Sequence, residues 1–370
     1  MNLPKIKDIH SVISLKDKIR LGIGKDYGIE IENLDEKYTQ LIKLLNGKHT
    51  INEICSLVDN LSPNEVEESI SLLDTLGYLE DNFVTTTELT SEELDRYSVN
   101  LNFFNTLDTL SLTKYDYQLK LKKTRILLLG IGGIGSNICL ALAELGIGHI
   151  TAVDFDTVEA SNLNRQILYS TSDIGKRKVE AAKESLRKFN PLIEFEVLDK
   201  EIGSKEDVDE LIKISKCDIV VNVADYPTGY IDFWVNEACV QYNKLCLSAV
   251  VGKKNGKVYS IIPYKAACYY CQFLEDLEKI PEYAEELETV RTMTNSLELE
   301  MFRTPNGALG PACLFQGYFI SFEILRYIFW GYEALLTFNK RFSIDFITFE
   351  QHFDELTKYP TCSICVGKKE

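Results

Sequence analysis

Two groups of residues in this chain could act on one ligand. The first is a glycine turn, Gly130-Ile-Gly132-Gly133-Ile-Gly135, and the second is Asn162, Arg165, Gln166 and Lys178. The turn follows the apolar run Arg125-Ile-Leu-Leu-Leu and opens a helical pattern from Ser136. Glycines there permit a tight turn and let backbone amides approach a phosphate at a helix N-terminus. Asp154 stands roughly twenty residues on, where a Rossmann half-domain places its ribose-binding acid. This much is shared with dehydrogenases and leaves a nicotinamide cofactor open. Arg165 and Lys178, with two amides beside them, narrow the reading. Two fixed cations suit a triphosphate attacked at its α-phosphorus, where negative charge grows in the transition state. Asp225 ends the apolar run that starts at Asp218. A carboxylate at that strand end faces the crevice of a parallel sheet and can hold Mg²⁺ against phosphates. Taken singly, Arg165 or Lys178 would be an ordinary solvated cation; the set at this spacing carries the functional reading.

A separate signal comes from Cys268-Tyr-Tyr-Cys271 and Cys362-Ser-Ile-Cys365. Two Cys-x-x-Cys pairs supply four thiolates with no open position, the donor set of a structural zinc that pins the tail. Neither pair opens a helix after a thioredoxin-like strand, which weighs against redox use. The other six of the ten cysteines read as buried hydrophobes.

The elements that must position these residues follow from periodicity. Residues 125–260 alternate strands and helices, with strands near 125–129, 149–153, 193–198, 218–223 and 245–250. The expectation is an α/β fold, a Rossmann-like, mostly parallel sheet with helices on both faces. Residues 272–312 break the pattern as an acidic excursion or lid. Ala312 to Leu335 reads as an apolar helix, and Arg341 to Phe349 as strand, before the cysteine tail at 360–365.

The N-terminal part reads differently. Lys25 to Asn33 alternates like a short strand, and Asp35 is placed to cap a helix carrying Tyr38, Leu41 and Ile42. Thr50-Ile-Asn-Glu53 has capping-box spacing, and Ser62-Pro63 starts a third helix that Gly77 stops. Tyr78 to Val84 reads as a wing strand. Three short helices and a strand or two make a small winged-helix-like α+β domain over 1–88, ending at a Thr-rich joint near 85–90, with the nucleotide-binding domain over 89–370. The third helix holds four acids and no Lys or Arg, so it would repel a phosphate backbone. Either the domain is a packing module, or it clamps an extended peptide along a sheet edge.

Lys and Arg total 40 against 56 Asp and Glu, a formal net charge of −16. That balance weighs against nucleic acid as a partner. No apolar run spans a bilayer and no signal core opens the chain, so the expected location is cytoplasmic, with no membrane partner.

The quoted motifs, Gly-x-Gly-Gly-x-Gly, Asp154-x-Asp156-x-Val-x-x-Ser-Asn-Leu-Asn-Arg-Gln, Gly175-x-x-Lys178 and Asp225, resemble the ThiF/MoeB/HesA family, relatives of ubiquitin-activating enzymes, over roughly residues 92–370. The resemblance implies a homodimer that uses ATP and Mg²⁺ to adenylate a C-terminal carboxylate. It implies that Gly130, Gly132, Gly133, Gly135, Asp154 and Asp156 hold the nucleotide, with Asp154 on the ribose. Asn162, Arg165, Gln166 and Lys178 would contact the phosphates and Asp225 the metal. It agrees with a zinc on Cys268, Cys271, Cys362 and Cys365.

Three departures refine it. Members that pass the activated carboxyl to a thiol keep a cysteine in the excursion, and residues 272–312 have none, so no thioester step is expected. Family members commonly show Arg-Tyr-x-Arg, whose second Arg reaches the partner subunit's ATP; here Arg96-Tyr97-Ser98-Val99 puts Val99 in that place. Asp225 precedes Tyr226-Pro227 where Asp-Asn is common. That last segment, with Trp234-Val-Asn236 and Cys268-Tyr-Tyr-Cys271-Gln272, resembles the peptide-modifying branch typified by the microcin C peptide nucleotidyltransferase, which also carries an N-terminal peptide clamp. The expected function is an ATP- or CTP-dependent nucleotidyltransferase acting on the C-terminus of a short ribosomal peptide, as in microcin C-like antibiotic biosynthesis, with Arg165, Lys178 and Asp225 as catalytic residues. Alternatives are an adenylyltransferase for a ubiquitin-like sulfur carrier of thiamine or molybdopterin synthesis, and a non-catalytic, leader-peptide-presenting partner of a cyclodehydratase.

Overall fold

A computed structural model describes residues 2–23, 28–83, 86–294 and 307–366. The chain divides into two compact units, Met1–Lys120 and Leu121–Glu370.

The first unit begins with β1 (Pro4–Ile6), β2 (Val12–Ser14), β3 (Lys18–Leu21) and β4 (Ile29–Glu32). It continues through helices α1 (Thr39–Leu44), α2 (Ile51–Leu57) and α3 (Pro63–Thr75), then β5 (Leu79–Asp81). Strands β2, β3 and β4 form an antiparallel meander, while β1 pairs with β5. The three-stranded meander exceeds the one or two strands expected, because strands of three or four residues carry too few alternations to register as a period. Among residues 25–33 only 29–32 are strand, and 24–27 lie outside the described residues. Asp35 does not cap α1. It sits in a short 3₁₀ turn at φ 54°, and Asn33 instead accepts the Tyr38 amide at 2.7 Å. Both capping boxes form, Thr50 with Glu53 and Ser62 with Glu65. The helices bury Leu41, Ile54, Val66, Ile70 and Leu73 against Ile19, Leu21 and Leu79.

The division between units falls after Lys120 rather than at the Thr-rich joint. Helices α4 (Ser91–Arg96) and α5 (Ser98–Asn105) and the start of α6 (Lys114–Lys123) belong with the first unit. Polar ties hold them there: Asn105 donates to Glu80 at 2.9 Å, and the Leu110 amide donates to Asp74 at 2.8 Å. Lys7 donates to the backbone oxygens of Gly77 and Asp108.

The second unit is built on an eight-stranded sheet among the described residues. In chain order it runs β6 (Arg125–Leu129), α7 (Gly133–Leu145), β7 (His149–Asp154), α8 (Lys178–Phe189), β8 (Glu194–Asp199), α9 (Lys205–Ser215), β9 (Ile219–Asn222), α10 (Ile231–Gln241) and β10 (Leu245–Val251). The antiparallel β11 (Asn255–Ile261) follows, then α11 (Tyr269–Lys279), α12 (Tyr283–Thr294), α13 (Gly310–Trp330), β12 (Lys340–Asp345) and β13 (Gln351–Glu355). Strand order is β13-β12-β11-β10-β9-β6-β7-β8, with the five strands from β10 to β8 parallel. The chain steps from β6 to β7 to β8 in one direction and then returns to β9 and β10. Right-handed crossovers therefore put α7 and α8 on one face and α9 and α10 on the other. Helix α13 packs on α7.

The excursion is more regular than expected. It contains the end of α11 and all of α12, while residues 295–306 lie outside the described residues. Helix α13 stops earlier than the apolar pattern suggested, because Gly331 at φ 82° ends it and Leu335 lies beyond a short turn. No described helix is long and apolar enough to cross a membrane.

Candidate active site

The reversal of strand order leaves a gap at the C-terminal ends of β6 and β9, where a doubly wound sheet holds its ligand. The glycine turn leaves β6 on one side of this gap, and residues 223–225 leave β9 on the other. The two are in tight contact. Gly130 has φ 92°, and a Cβ there would lie 3.0 Å from the Ala224 nitrogen and 3.1 Å from the Val223 carbonyl carbon. A Cβ on Gly135 would lie 2.0 Å from the Gly130 oxygen, so α7 can start so close to β6 only with glycine there. Gly132 caps α7 and has open space where a side chain would stand.

Above this frame is a cleft of about 510 Å³. Its lining brings together Gly130, Gly132, Gly133, Asp154, Asp156, Asn162, Arg165, Gln166, Lys178 and Asp225. Gly135 is not part of the lining and acts through helix packing. Residues 95 positions apart in sequence, Gly130 and Asp225, thus face one space, as the strand-end argument required.

Each polar side chain is fixed by a local cause. Asp154 ends β7, accepts the Ile131 amide at 2.7 Å and the Asp156 amide at 2.9 Å, and so ties the glycine turn to the next strand. Burial pushes its carboxyl up, opposed by the Lys178 charge and these two amides. Lys178 opens α8, is itself buried, and donates to Asp156 at 2.7 Å. Arg165 donates to the Ser161 oxygen at 2.8 Å and to Asn164 at 2.9 Å, which holds its guanidinium beside the cleft. Asn162 accepts the Glu159 amide at 3.1 Å and closes the turn that presents Arg165. Gln166 is buried, and its Oε1 has no protein partner. A nucleotide fits this donor set: two cations for phosphate, an acid for a ribose hydroxyl, and a carboxylate at Asp225 for Mg²⁺.

Sequence reasoning missed three lining residues. Phe155 and Tyr226 form a tilted aromatic pair in the cleft wall, ring centres 5.5 Å apart at 48°. Lys200 adds a third cation directly after β8, paired to Asp207 at 2.9 Å. The rule that ligands sit at the C-terminal ends of parallel strands was the available signal for Lys200. Cys313 also reaches the cleft wall. It is buried under Gly133, whose Cβ would lie 2.7 Å from its sulfur, and burial pushes its thiol up. That environment suits packing rather than a nucleophile. Val99 is on α5, three-quarters exposed.

The four cysteines expected to hold zinc converge. Their Sγ atoms all lie within 4.8 Å of one another, with Cys268–Cys362 at 3.6 Å, Cys271–Cys365 at 3.4 Å and Cys268–Cys271 at 3.9 Å. Metal–sulfur bonds of about 2.3 Å in a tetrahedron set sulfurs about 3.8 Å apart, so the donor set fits zinc. All four are buried. The site joins the start of α11 to the tail after β13.

Comparison with known proteins agrees with this geometry. Over 231 residues the chain is 32% identical to the adenylyltransferase and sulfurtransferase MOCS3 of Culex quinquefasciatus, covering 62% of this chain and 49% of that protein. It is 32% identical over 190 residues to the sulfur carrier protein adenylyltransferase of Thermus thermophilus, covering 50% of this chain and 65% of that protein. The chain spans about half the length of the MOCS3 and UBA4 proteins it matches. A crystal structure of E. coli MccB with AMPCPP and MccA superposes with a TM-score of 0.73 at 23% identity, covering 99% of this chain and 100% of that one. That likeness extends the shared fold over both units. The ThiF family model matches residues 104–364, and the chain belongs to the ThiF family.

Proposed function

We propose that the chain is a nucleotidyltransferase that uses ATP or CTP to activate the C-terminal carboxylate of a short peptide. The observation that carries this reading is the convergence of Arg165, Lys178 and Asp225 on one cleft with the glycine turn. In the proposed reaction a carboxylate oxygen of the peptide attacks the α-phosphorus, an acyl–phosphate bond forms, the α–β phosphoanhydride breaks, and pyrophosphate leaves. Arg165 and Lys178 bind the phosphates and offset the charge that grows there. Asp225 would hold Mg²⁺, which when bound neutralises phosphate charge. The zinc cysteines would fix the tail and take no part in the reaction.

The first unit supports a peptide as the acceptor. Strand β4 pairs only with β3, so its other edge is unpaired among the described residues. Beside it runs a groove of about 570 Å³ lined by Ile29, Ile31, Leu41 and Leu72 from β4, α1 and α3, by Leu76 just past α3, and by Glu30, Glu32 and Lys37. Leu72 and Leu76 are 59% and 48% exposed, apolar surface that a bound segment would cover. An extended peptide can add a strand to such an edge and seat alternate side chains in the groove. MccB, of the same fold, crystallises with MccA and AMPCPP. Exposed Leu314, Phe322 and Trp330 on α13 are consistent with a second copy of the chain as partner. Light scattering that gave a monomer at all concentrations would remove that part.

The test is pyrophosphate release with candidate peptides under ATP and under CTP, followed by the product's mass. Release that persists in a Lys178→Ala protein at the normal rate would overturn the assignment. A second reading, activation of a ubiquitin-like sulfur carrier, is favoured by what the MOCS3 and sulfur-carrier relatives are named for. Release that required a folded carrier and ignored short peptides would select it. The third, a non-catalytic presenting partner, predicts that calorimetry detects no nucleotide binding.

A further inference from the structure

Below the cleft floor is a polar row that the proposed chemistry does not use. Asn222 ends β9 and lies opposite Leu129 of β6 and Ser248 of β10, and Ser248 lies opposite Tyr259 of β11. These positions form one line across four strands, immediately beneath the turn 223–225. Asp232, on the first turn of α10, reaches this line from the helix layer. It accepts Asn222 Nδ2 at 2.9 Å and the Tyr259 hydroxyl at 3.3 Å. The Asn222 amide is thereby oriented with its Oδ1 toward the Ala224 amide, 3.4 Å away, and Ser248 holds the Asn222 backbone oxygen at 3.0 Å.

We infer that Asp232 is a positioning residue for the turn that aims Asp225 into the cleft, acting through Asn222. The inference rests on the reading of Asp225 as the Mg²⁺-nucleotide ligand. Three features of the row argue for it. Asn222 offers one donor and one acceptor on its side chain, and Asp232, which can only accept when ionised, decides which end faces which partner. Without Asp232, nothing in the row stops the amide from turning its NH₂ toward the Ala224 amide, two donors face to face. The turn runs close to Gly130, where an added Cβ would meet the Ala224 nitrogen at 3.0 Å, so a change in its course is felt on the glycine side of the cleft. A shift there moves both Asp225 and the glycine turn, the two sides of the nucleotide cleft. Asp232 reaches the site by a route apart from the other cleft residues: Tyr259 stacks on Tyr269 at 5.8 Å, and the Tyr269 amide donates to Asn236 of the same helix at 2.9 Å. The row thus shares a wall with the zinc-site helix, which keeps α10, and Asp232 with it, at fixed height above the sheet.

Outer partners of metal ligands typically change metal affinity by about 10–100-fold when removed. The experiment compares wild type, Asp232→Leu and Asp232→Asn in the full chain. Asn222 Nδ2 and the Tyr259 hydroxyl both donate to Asp232 Oδ1, so the amide oxygen of Asp232→Asn can keep both bonds, while Asp232→Leu removes both. Three quantities are read: Mn²⁺·ATP affinity by loss of the free-Mn²⁺ resonance, hydrogen–deuterium exchange of residues 222–226 without ligand, and Tm. Asp232→Leu is expected to bind Mn²⁺·ATP about tenfold more weakly, with faster exchange confined to 222–226 and Tm within about 4 °C of wild type, and Asp232→Asn to match wild type in affinity and exchange. Wild-type affinity and exchange in Asp232→Leu would overturn the inference. So would a loss that came with lower Tm and faster exchange throughout the unit, or one that Asp232→Asn shared. If wild type itself failed to bind Mn²⁺·ATP, the nucleotidyltransferase reading would fall, while exchange at 222–226 would still decide whether Asp232 places the turn.

Discussion

The two units build their sites from different materials. The cleft of the second unit is made of side chains whose chemistry is fixed by residue type: three cations and several acids held around a glycine turn. The groove of the first unit is made of an unpaired strand edge and mostly leucines and isoleucines, with Glu30, Glu32 and Lys37 among them. A site of the first kind can stabilise charge in a transition state. One of the second kind can only hold, because backbone edges and apolar walls bind substrate and transition state alike. The two regions should therefore fail differently when altered.

The largest effect is expected in the cleft. Lys178→Ala removes a buried cation from beside the phosphates and should lower kcat for pyrophosphate release by about 10²–10³-fold with little change in the peptide's KM. Steady-state kinetics with the peptide varied would check it, and an effect on KM alone would mean that Lys178 serves binding rather than the transition state. Next is the thiolate cluster. Cys365→Ser, or prolonged chelation, should release the tail from α11 and lower Tm, since metal bound only by the folded state adds its binding energy to folding. Protection of residues 356–366 from protease should vanish while the first unit stays protected. A smaller effect belongs to the groove. Leu72→Asp with Leu76→Asp should raise the peptide's KM about tenfold and leave kcat at saturating peptide unchanged, because both leucines are exposed and contribute no core. A fall in kcat instead would mean that the groove takes part in the chemistry.

The same contrast explains what could be read in the sequence. The five parallel strands, the cleft residues and the four cysteines were legible because each is an identity at a spacing: a glycine where Gly130 meets Ala224, a cation that opens α8, an acid that ends β7. The groove was legible only as one of two readings, since no residue type marks a strand edge as free. The meander failed to register because its strands of three or four residues are too short to show a period. The Lys7, Glu80, Asn105 and Asp108 ties that attach residues 89–120 to the first unit join positions far apart in sequence, so local composition pointed to the Thr-rich joint instead. Phe155 looks like a core aromatic until the fold sets it beside Tyr226 in the cleft wall. Asp232 looks like any acid in the first turn of a helix until β9 places Asn222 under it.

Each unit also buries a carboxyl that is pushed up, and the two differ in what offsets that burial. Asp232 is raised to about 6 by burial, partly offset by its bonds to Tyr259 and Asn222. Asp108 is raised to about 7 by burial, opposed by the nearby Lys7 charge, and its Oδ1 has no side-chain or backbone partner. A carboxyl whose folded pKa exceeds its unfolded value of about 3.9 favours folding most when both states are protonated. Above about pH 4 the unfolded chain ionises while folded Asp108 keeps its proton, so its contribution declines until about pH 7, where both forms are ionised. Asp108→Asn keeps the shape and removes the charge. Its Tm should be near that of wild type at about pH 4 and exceed it by about 4 °C at about pH 8, with the gap opening between those values. Asp232→Asn should show a smaller gap, because two donors already face that carboxylate and lose a charged acceptor in the variant. Melting curves of the three proteins across this range decide the matter: equal gaps at every pH would mean that neither buried acid is held neutral by its surroundings.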